Sequence, residues 1–189
     1  STSSSNSSTQ AREDIPFSMG TSFAEYLKSQ IYLTKMDKPD RHIAKFVVGN
    51  IDENGYLQRS VEELVDDLAF REGLIVSDSK MQEIVDQIKT FDPAGVGATD
   101  LQECLLIQLR RLQEESDEDT DYTLPIIIIE QYFNEFTKKH YDKIIKKSGI
   151  SERQFRAALK EILKLNPKPG GTVGESQRSN YIVPDFTIY

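Results

Sequence analysis

FDPAGVGATDLQECLLIQLRRL, residues 91–112, joins a tight turn to a strongly apolar segment. Pro93 fixes its own φ angle and disfavours a helical conformation at Asp92, so this pair starts a turn. Gly95 and Gly97 allow a positive φ angle or a close approach of two backbones. Together these residues predict a rigid connection between two packed helices.

The second half of this stretch predicts a helix that is apolar on nearly all sides. Thr99 and Gln102 have the spacing of a capping box, which predicts the start of the helix. After this start, several leucines and Cys104, the one cysteine of the chain, lie on one helical face. Such a helix is typical of the centre of a bundle, and we expect Cys104 to be a buried, unreactive thiol. A single cysteine excludes an internal disulfide and fits a reducing cytoplasm.

The two glycines also allow the hypothesis of a phosphate-binding loop. Neither glycine-rich nucleotide fingerprint is present, because no Lys-Ser or Lys-Thr pair follows the glycines. The residues before Phe91 predict a helix, whereas both fingerprints follow a strand. A tight connection between helices is therefore the better interpretation.

Residues 23–112 predict a first helical lobe of four or five helices in an all-α protein. Three further capping boxes mark its helix starts: Ser22 with Glu25, Ser60 with Glu63, and Ser79 with Gln82. Asn54-Gly55 could close a hairpin, but its flanking residues do not alternate as strands do. We therefore prefer to interpret this pair as a helix stop.

Four further segments complete the predicted domain organisation. Residues 1–22 are rich in serine and are predicted to be a disordered linker. Residues 113–122 form an acidic loop with six acidic and no basic residues, and the lack of a glycine argues against a calcium-binding loop. Residues 123–171 predict a second lobe, a bundle of three helices that begins at Thr123. Residues 172–189 predict an extended segment.

The charge of the chain is distributed unevenly. The net charge is -8, which argues against binding of duplex DNA by the chain as a whole. Residues 123–189 nevertheless carry 11 basic and seven acidic residues, a net charge of +4. The longest apolar run, 126–129, is far too short to span a membrane.

The second lobe resembles a helix-turn-helix, with the turn at Ser148-Gly149-Ile150. Arg153 and Arg156 would lie near the start of its second helix, where a recognition helix meets base edges. Glu152 opens that helix, however, and the basic residues are spread over several faces. A DNA-binding regulator is thus the alternative hypothesis, and protein binding is the preferred one.

No catalytic, cofactor or metal site is predicted. His42 and His140 are far apart in the sequence, and no metalloprotease motif, cysteine pair or serine elbow is present. Acidic residues are abundant, but nothing distinguishes a catalytic pair from solvated helix faces. We therefore expect an interaction module and not an enzyme.

Four runs resemble, in this order, the signatures of the sigma-54 class of bacterial RNA polymerase sigma factors: NIDENGYL at 50–57, FDPAGVGATDLQECLLIQL at 91–109, LNPKPGG at 165–171 and YIVPDF at 181–186. The resemblance implies the core-binding region of a cytoplasmic bacterial protein that binds the β and β′ subunits of core RNA polymerase. Such factors direct polymerase to promoters with elements near -24 and -12 and act under ATP-driven activators. The family's activator-contacting leader and promoter-reading domain have no counterpart here, so the resemblance implies a fragment. It also implies that residues 172–189 lead to the missing DNA-binding domain.

The resemblance also implies roles for particular residues. Those that match the family signatures are expected to be mostly structural: Asp52, Asn54, Gly55, Tyr56, Leu57, Phe91, Asp92, Pro93, Gly95, Val96, Gly97, Asp100, Leu101, Pro167, Pro169 and Gly170. Thr99 departs from the family pattern, in which an arginine is usual. The residues that we expect to contact a partner are Asp66 and Asp67 on the first lobe, and Lys143, Lys146, Lys147, Arg153 and Arg156 on the second.

Overall fold

The computed structural model describes residues 22–117 and 119–171. These residues form nine helices: α1 (Phe23–Ile31), α2 (Lys38–Val48), α3 (Val61–Glu72), α4 (Asp78–Ile88), α5 (Leu101–Glu115), α6 (Thr123–Gln131), α7 (Phe133–Thr137), α8 (Tyr141–Ser148) and α9 (Glu152–Ile162). The prediction of an all-α fold is confirmed. None of these helices is long and apolar enough to cross a membrane. The predicted linker before residue 22 and the extended segment after residue 171, with its YIVPDF run, lie outside the described residues.

Side-chain caps begin six of these helices, as capping boxes in the sequence suggest. The boxes predicted at Ser22 and Ser60 are confirmed, and Ser151 with Gln154 forms a further box at the start of α9. Helix α4 is capped by Ser77 and not by Ser79, because the Ser77 hydroxyl accepts a hydrogen bond from the third backbone N–H of the helix. The predicted start of that helix was therefore two residues too late.

Helix α5 begins one residue later than the Thr99 prediction. The carboxylate of Asp100 accepts a hydrogen bond from the backbone N–H of Glu103 at 2.9 Å and so caps the helix. The Glu103 side chain reaches back and accepts from the N–H of Thr99 at 2.8 Å. Thr123, the predicted cap of α6, lies inside that helix, which has no side-chain cap.

A first core forms where α1 to α4 pack together. Helix α2 contacts α1 and α4, and α4 also contacts α3. The core includes fully buried side chains from each of these helices, among them Leu27, Val47, Leu64 and Met81. Phe91 and Val96 also belong to it, so the turn before α5 is anchored in the first core.

A second core forms between α5 and the helices that follow, which differs from the predicted lobe boundary at residue 112. Leu105 and Leu109 of α5 are fully buried and lie in a cluster with Ile128 and Ile129 of α6. Helices α6 and α9 also pack together. The physical reason is that the isoleucines of α6 offer α5 an apolar surface, while α1 to α4 already fill the first core.

The Asn54-Gly55 pair closes a small antiparallel turn, so its interpretation as a helix stop was wrong. Ile51 and Leu57 form an antiparallel bridge around it. The carboxylate of Asp52 accepts hydrogen bonds from the backbone N–H groups of Asn54 and Tyr56, each at 2.9 Å. Because a side chain satisfies these donors, the reversal does not need alternating strands on its flanks.

Candidate functional site

Three of the four signature runs meet at one place between the two cores. Residues 50–57 are hydrogen-bonded to the turn of residues 91–100, and residues 165–171 cross both the first run and α5. We call the contact region of these three runs the motif junction. The structure therefore brings together residues as far apart in the sequence as Asn54 and Gly170.

Polar side chains from two helices hold the start of the turn. Gln30 of α1 is buried, and its amide Nε2 donates to the backbone oxygen of Asp92 at 2.6 Å. The backbone N–H of Asp92 donates in return to Oε1 of Gln30 at 2.9 Å. Arg111 of α5 donates to the Asp92 carboxylate at 2.9 Å and to the backbone oxygen of Phe91 at 3.1 Å. The turn is thus tied to both sides of the molecule.

The same turn lies directly against α5. Gly95 has a φ angle of +99°, and a Cβ atom on it would lie 2.7 Å from Sγ of Cys104. Any larger residue would therefore collide with the helix. Cys104 is buried, as expected. Burial raises the pKa of its thiol to about 11, so the thiol stays protonated and unreactive at neutral pH.

Two backbone hydrogen bonds connect the turn with the run of residues 50–57. The N–H of Gly97 donates to the oxygen of Gly55 at 2.8 Å, and the N–H of Leu57 donates to the oxygen of Ala98 at 2.9 Å. Leu57 is also buried in the first core. These bonds place the Asn54-Gly55 turn at the edge of the first core, where the third run reaches it.

The third run passes the Asn54-Gly55 turn at very short range. The N–H of Gly170 donates to the oxygen of Asn54 at 2.9 Å. The hydroxyl of Tyr56 donates to the oxygen of Pro167 at 2.6 Å, and burial raises the pKa of this hydroxyl far above its ordinary value. A Cβ atom on Gly170 would lie 2.6 Å from both the oxygen of Glu53 and the nitrogen of Gly55. Only glycine therefore fits there without a backbone shift.

A second buried glutamine holds the third run on α5. Nε2 of Gln108 donates to the backbone oxygen of Asn166 at 2.7 Å, and the N–H of Asn166 donates to Oε1 of Gln108 at 2.8 Å. Neither Gln30 nor Gln108 is among the site residues predicted from the sequence. For Gln108 the sequence offers one signal of burial. This polar residue occupies a position of the apolar stripe of α5, between Leu105 and Leu109.

The polar side chains of the motif junction bind backbone groups of the chain itself. That the signature residues are mostly structural stays a prediction. Lys89 and Glu103 also form an ion pair within the chain, with 2.6 Å between Nζ and Oε2. Within residues 22–117 and 119–171, no three His, Cys, Asp or Glu side chains are grouped so that they could hold a metal ion.

The residues predicted to contact a partner do not form one site. Three of them are in ion pairs within the chain: Asp67 with Arg59, Lys147 with Glu135, and Arg156 with Glu152. The other four are exposed and have no ion-pair partner in the described part of the chain: Asp66, Lys143, Lys146 and Arg153. Asp66 lies on α3, and the three basic residues lie on α8 and α9.

The chain is similar to known sigma factors over most of its length. The family description "Sigma-54 factor, core binding domain" matches residues 16–189. The RNA polymerase sigma-54 factor of Acidithiobacillus ferridurans is 32% identical over 167 residues, which cover 88% of this chain and 33% of that protein. The sigma-54 factor of Pseudomonas aeruginosa (strain UCBPP-PA14) is 30% identical over 171 residues, which cover 90% and 33%.

A more distant relative gives the same result. The RNA polymerase sigma-54 factor of Bacillus subtilis (strain 168) is 26% identical over 162 residues, which cover 86% of this chain and 34% of that protein. The chain thus spans about a third of the length of the curated relatives that it matches. Because the family description covers all four signature runs, the chain belongs to the core-binding domain family of the sigma-54 factors.

Proposed function

We propose that the chain binds core RNA polymerase as the core-binding domain of a bacterial sigma-54 factor. The observation that supports this proposal is the family match over residues 16–189. The motif junction is not the contact with polymerase in this proposal, because its polar groups are engaged within the chain. It fixes the two cores relative to each other, so that their exposed faces meet polymerase in one orientation.

The proposal extends to the setting in which the domain acts. The whole sigma factor would bind the β and β′ subunits in the bacterial cytoplasm and start transcription at promoters with -24 and -12 elements. Promoter DNA and an ATP-driven activator would be partners of the whole protein and not of these helices. The chain itself would catalyse no reaction and would act as a subunit of the polymerase.

Size-exclusion chromatography tests this proposal. The purified chain is run with bacterial core RNA polymerase and, separately, with a duplex that carries -24 and -12 elements. We expect the chain to co-elute with polymerase and to elute apart from the duplex. Elution apart from polymerase, or co-elution with the duplex, would contradict the proposal.

DNA binding by the second lobe is the second candidate function, and one feature favours it. Helix α8, the left-handed Gly149 and helix α9 follow each other as in a helix-turn-helix. Lys143, Lys146 and Arg153 on these helices are exposed and form no ion pair in the described part of the chain. Glu152 argues against it, because a carboxylate stands where a recognition helix would approach phosphates.

A salt-dependent titration distinguishes this candidate. Duplex DNA is titrated with the whole chain at low and at moderate salt, and with a variant in which Lys143, Lys146 and Arg153 are changed to Glu. Affinity that falls steeply with salt and is lost in the variant would favour DNA binding. No duplex binding at low salt would remove this candidate.

A further inference from the structure

Within the described part of the chain, an exposed apolar surface lies at the end of α3. Phe70 is 91% exposed, Ile75 is 79% exposed and Leu74 is 37% exposed. The three residues extend from the last turn of α3 into the loop before α4, and we call them the Phe70 surface. Single exposed apolar side chains are common at protein surfaces, whereas here three large ones are exposed within residues 70–75.

The local structure holds the Phe70 surface in place and turned outward. Leu64 and Leu68 on α3 are fully buried in the first core. Phe70 follows Leu68 by two positions, which is a rotation of about 200° around a helix, and so faces away from the core. Val76, directly after Ile75, packs against the first core. The loop is therefore anchored on both sides of the exposed residues.

Tyr32 is also exposed, but contacts with neighbouring side chains of the chain account for its position. Tyr32 is 52% exposed, but the Arg41 guanidinium and the Lys45 ammonium lie 5.3 Å and 4.9 Å from the centre of its ring. These cations stabilise the ring at the surface. No cation or ring of the described residues is stacked on Phe70. Its position therefore has no cause within the described part of the chain.

An acidic stripe leads along α3 to the Phe70 surface. Glu62 and Asp66 precede Phe70 by eight and four residues and so share its helix face. Both are exposed and have no ion-pair partner among the described residues, whereas Asp67 is paired with Arg59. Phosphate groups would be repelled by this face. A partner that suits it offers an apolar pocket with basic side chains nearby.

We infer that the Phe70 surface is a contact by which this domain docks on core RNA polymerase, in an apolar pocket that basic side chains of the polymerase border. The inference rests on the proposed function and names the surface that carries it. An aromatic side chain that enters a pocket, with charged residues at the rim, is typical of the residues that dominate binding energy. A symmetric pair of chains suits this surface less well, because it would bring two acidic stripes together.

Site-specific photocrosslinking tests the inference. Phe70 is replaced by p-benzoylphenylalanine, and in the control the same group replaces Leu112 of α5, which is also exposed. We expect a crosslink from position 70, and much less from position 112, to a subunit of core polymerase. A crosslink to a second copy or within the chain would overturn the inference, and so would polymerase binding without a crosslink from position 70. Failure of the unsubstituted chain to bind polymerase would contradict the proposed function as well.

Two substitutions give the inference a quantitative test. Phe70→Ser should weaken binding to core polymerase about tenfold, and Asp66→Lys about threefold. Leu112→Ser and Glu115→Lys make comparable apolar-to-polar and acid-to-base changes on α5 and should leave the affinity within about twofold. The Tm of each variant is measured to show that it is folded. Unchanged affinity of a folded Phe70→Ser variant would overturn the inference.

Discussion

At the residue scale, two buried glutamine side chains form the pair of hydrogen bonds that a neighbouring backbone segment would otherwise form. Gln30 and Gln108 each offer one donor and one acceptor to a single residue, Asp92 and Asn166. A primary amide is the side chain that can satisfy a backbone N–H and C=O at the same time. Burial makes these bonds important, because a buried backbone group without a partner keeps its full desolvation penalty.

Gln108→Leu removes both bonds to Asn166 with little change in volume. It should lower the free energy of unfolding by roughly 2–4 kcal/mol, because one N–H and one C=O lose their partners. The matched control is Gln131→Leu at the exposed end of α6, which should change it by less than about 0.5 kcal/mol. Urea unfolding followed by circular dichroism measures both. Equal stability of the two variants would show that the amide does not hold the third run.

Glu103 predicts a pH dependence of stability. Burial opposes its charged form, but hydrogen bonds from Lys89 and Thr99 outweigh burial and hold the pKa of the carboxyl below its ordinary value of 4.5. The folded state therefore binds this proton less tightly than the unfolded chain. The resulting stabilisation is complete well above pH 4.5 and is lost as the pH falls through the lower pKa of the folded state.

Glu103→Gln should therefore flatten the decline of the unfolding free energy in this acid range, since glutamine does not titrate. Urea unfolding at stepped pH values measures the decline in the variant and in the unsubstituted chain. Glu115→Gln, an exposed carboxyl on the same helix, is the control and should leave the decline nearly unchanged. If Glu103→Gln also leaves it unchanged, other carboxyl groups cause the acid sensitivity.

At the scale of elements, the helices could be predicted from the sequence, but not every first residue. Apolar stripes with capping boxes are local patterns, and at Ser60 and Ser151 nothing competes with them. At α5 two adjacent candidates compete, Thr99 and Asp100. The hydrogen bond from Leu57 to Ala98 fixes the backbone just before them, and this tertiary contact is not visible in the local sequence.

Two serines at the start of α4 can be compared by mutation: Ser77, the observed cap, and Ser79, the predicted one. Ser77→Ala should destabilise the protein by about 1 kcal/mol, because its hydroxyl accepts the backbone N–H of Lys80 at 3.0 Å. Ser79→Ala should have almost no effect, since Ser79 lies exposed inside the helix. Thermal unfolding of both variants measures the difference. A larger loss for Ser79→Ala would contradict the cap that the structure shows.

At the scale of the whole molecule, the motif junction joins two cores that the sequence shows only as separate lobes. The order of the signature runs was enough to predict the family. It could not reveal that Tyr56 meets Pro167, because no local pattern encodes a hydrogen bond across 111 residues. The packing of α5 with α6 was missed for the same reason. The Phe70 surface was missed because exposure depends on which neighbours a helix has.

Gly170→Ala tests the coupling of the two cores. The new Cβ atom would lie 2.6 Å from backbone atoms of Glu53 and Gly55, so the third run must move away from the first. We expect a loss of roughly 1–3 kcal/mol and a broader unfolding transition, because the cores then unfold less cooperatively. Gly171→Ala is the matched control, since its Cβ atom would lie 3.4 Å from its nearest neighbour, Oδ1 of Asn54. Calorimetric curves of equal width and midpoint for both variants would argue against the coupling.

In the proposed function, this chain binds core RNA polymerase and does not itself read DNA. One titration tests it most directly: core RNA polymerase is added to the fluorescently labelled chain, without and with an excess of promoter duplex, and the anisotropy is recorded. We expect saturable binding of one chain per polymerase, which the duplex does not reverse. No rise of anisotropy with polymerase, or a rise with the duplex alone, would contradict it.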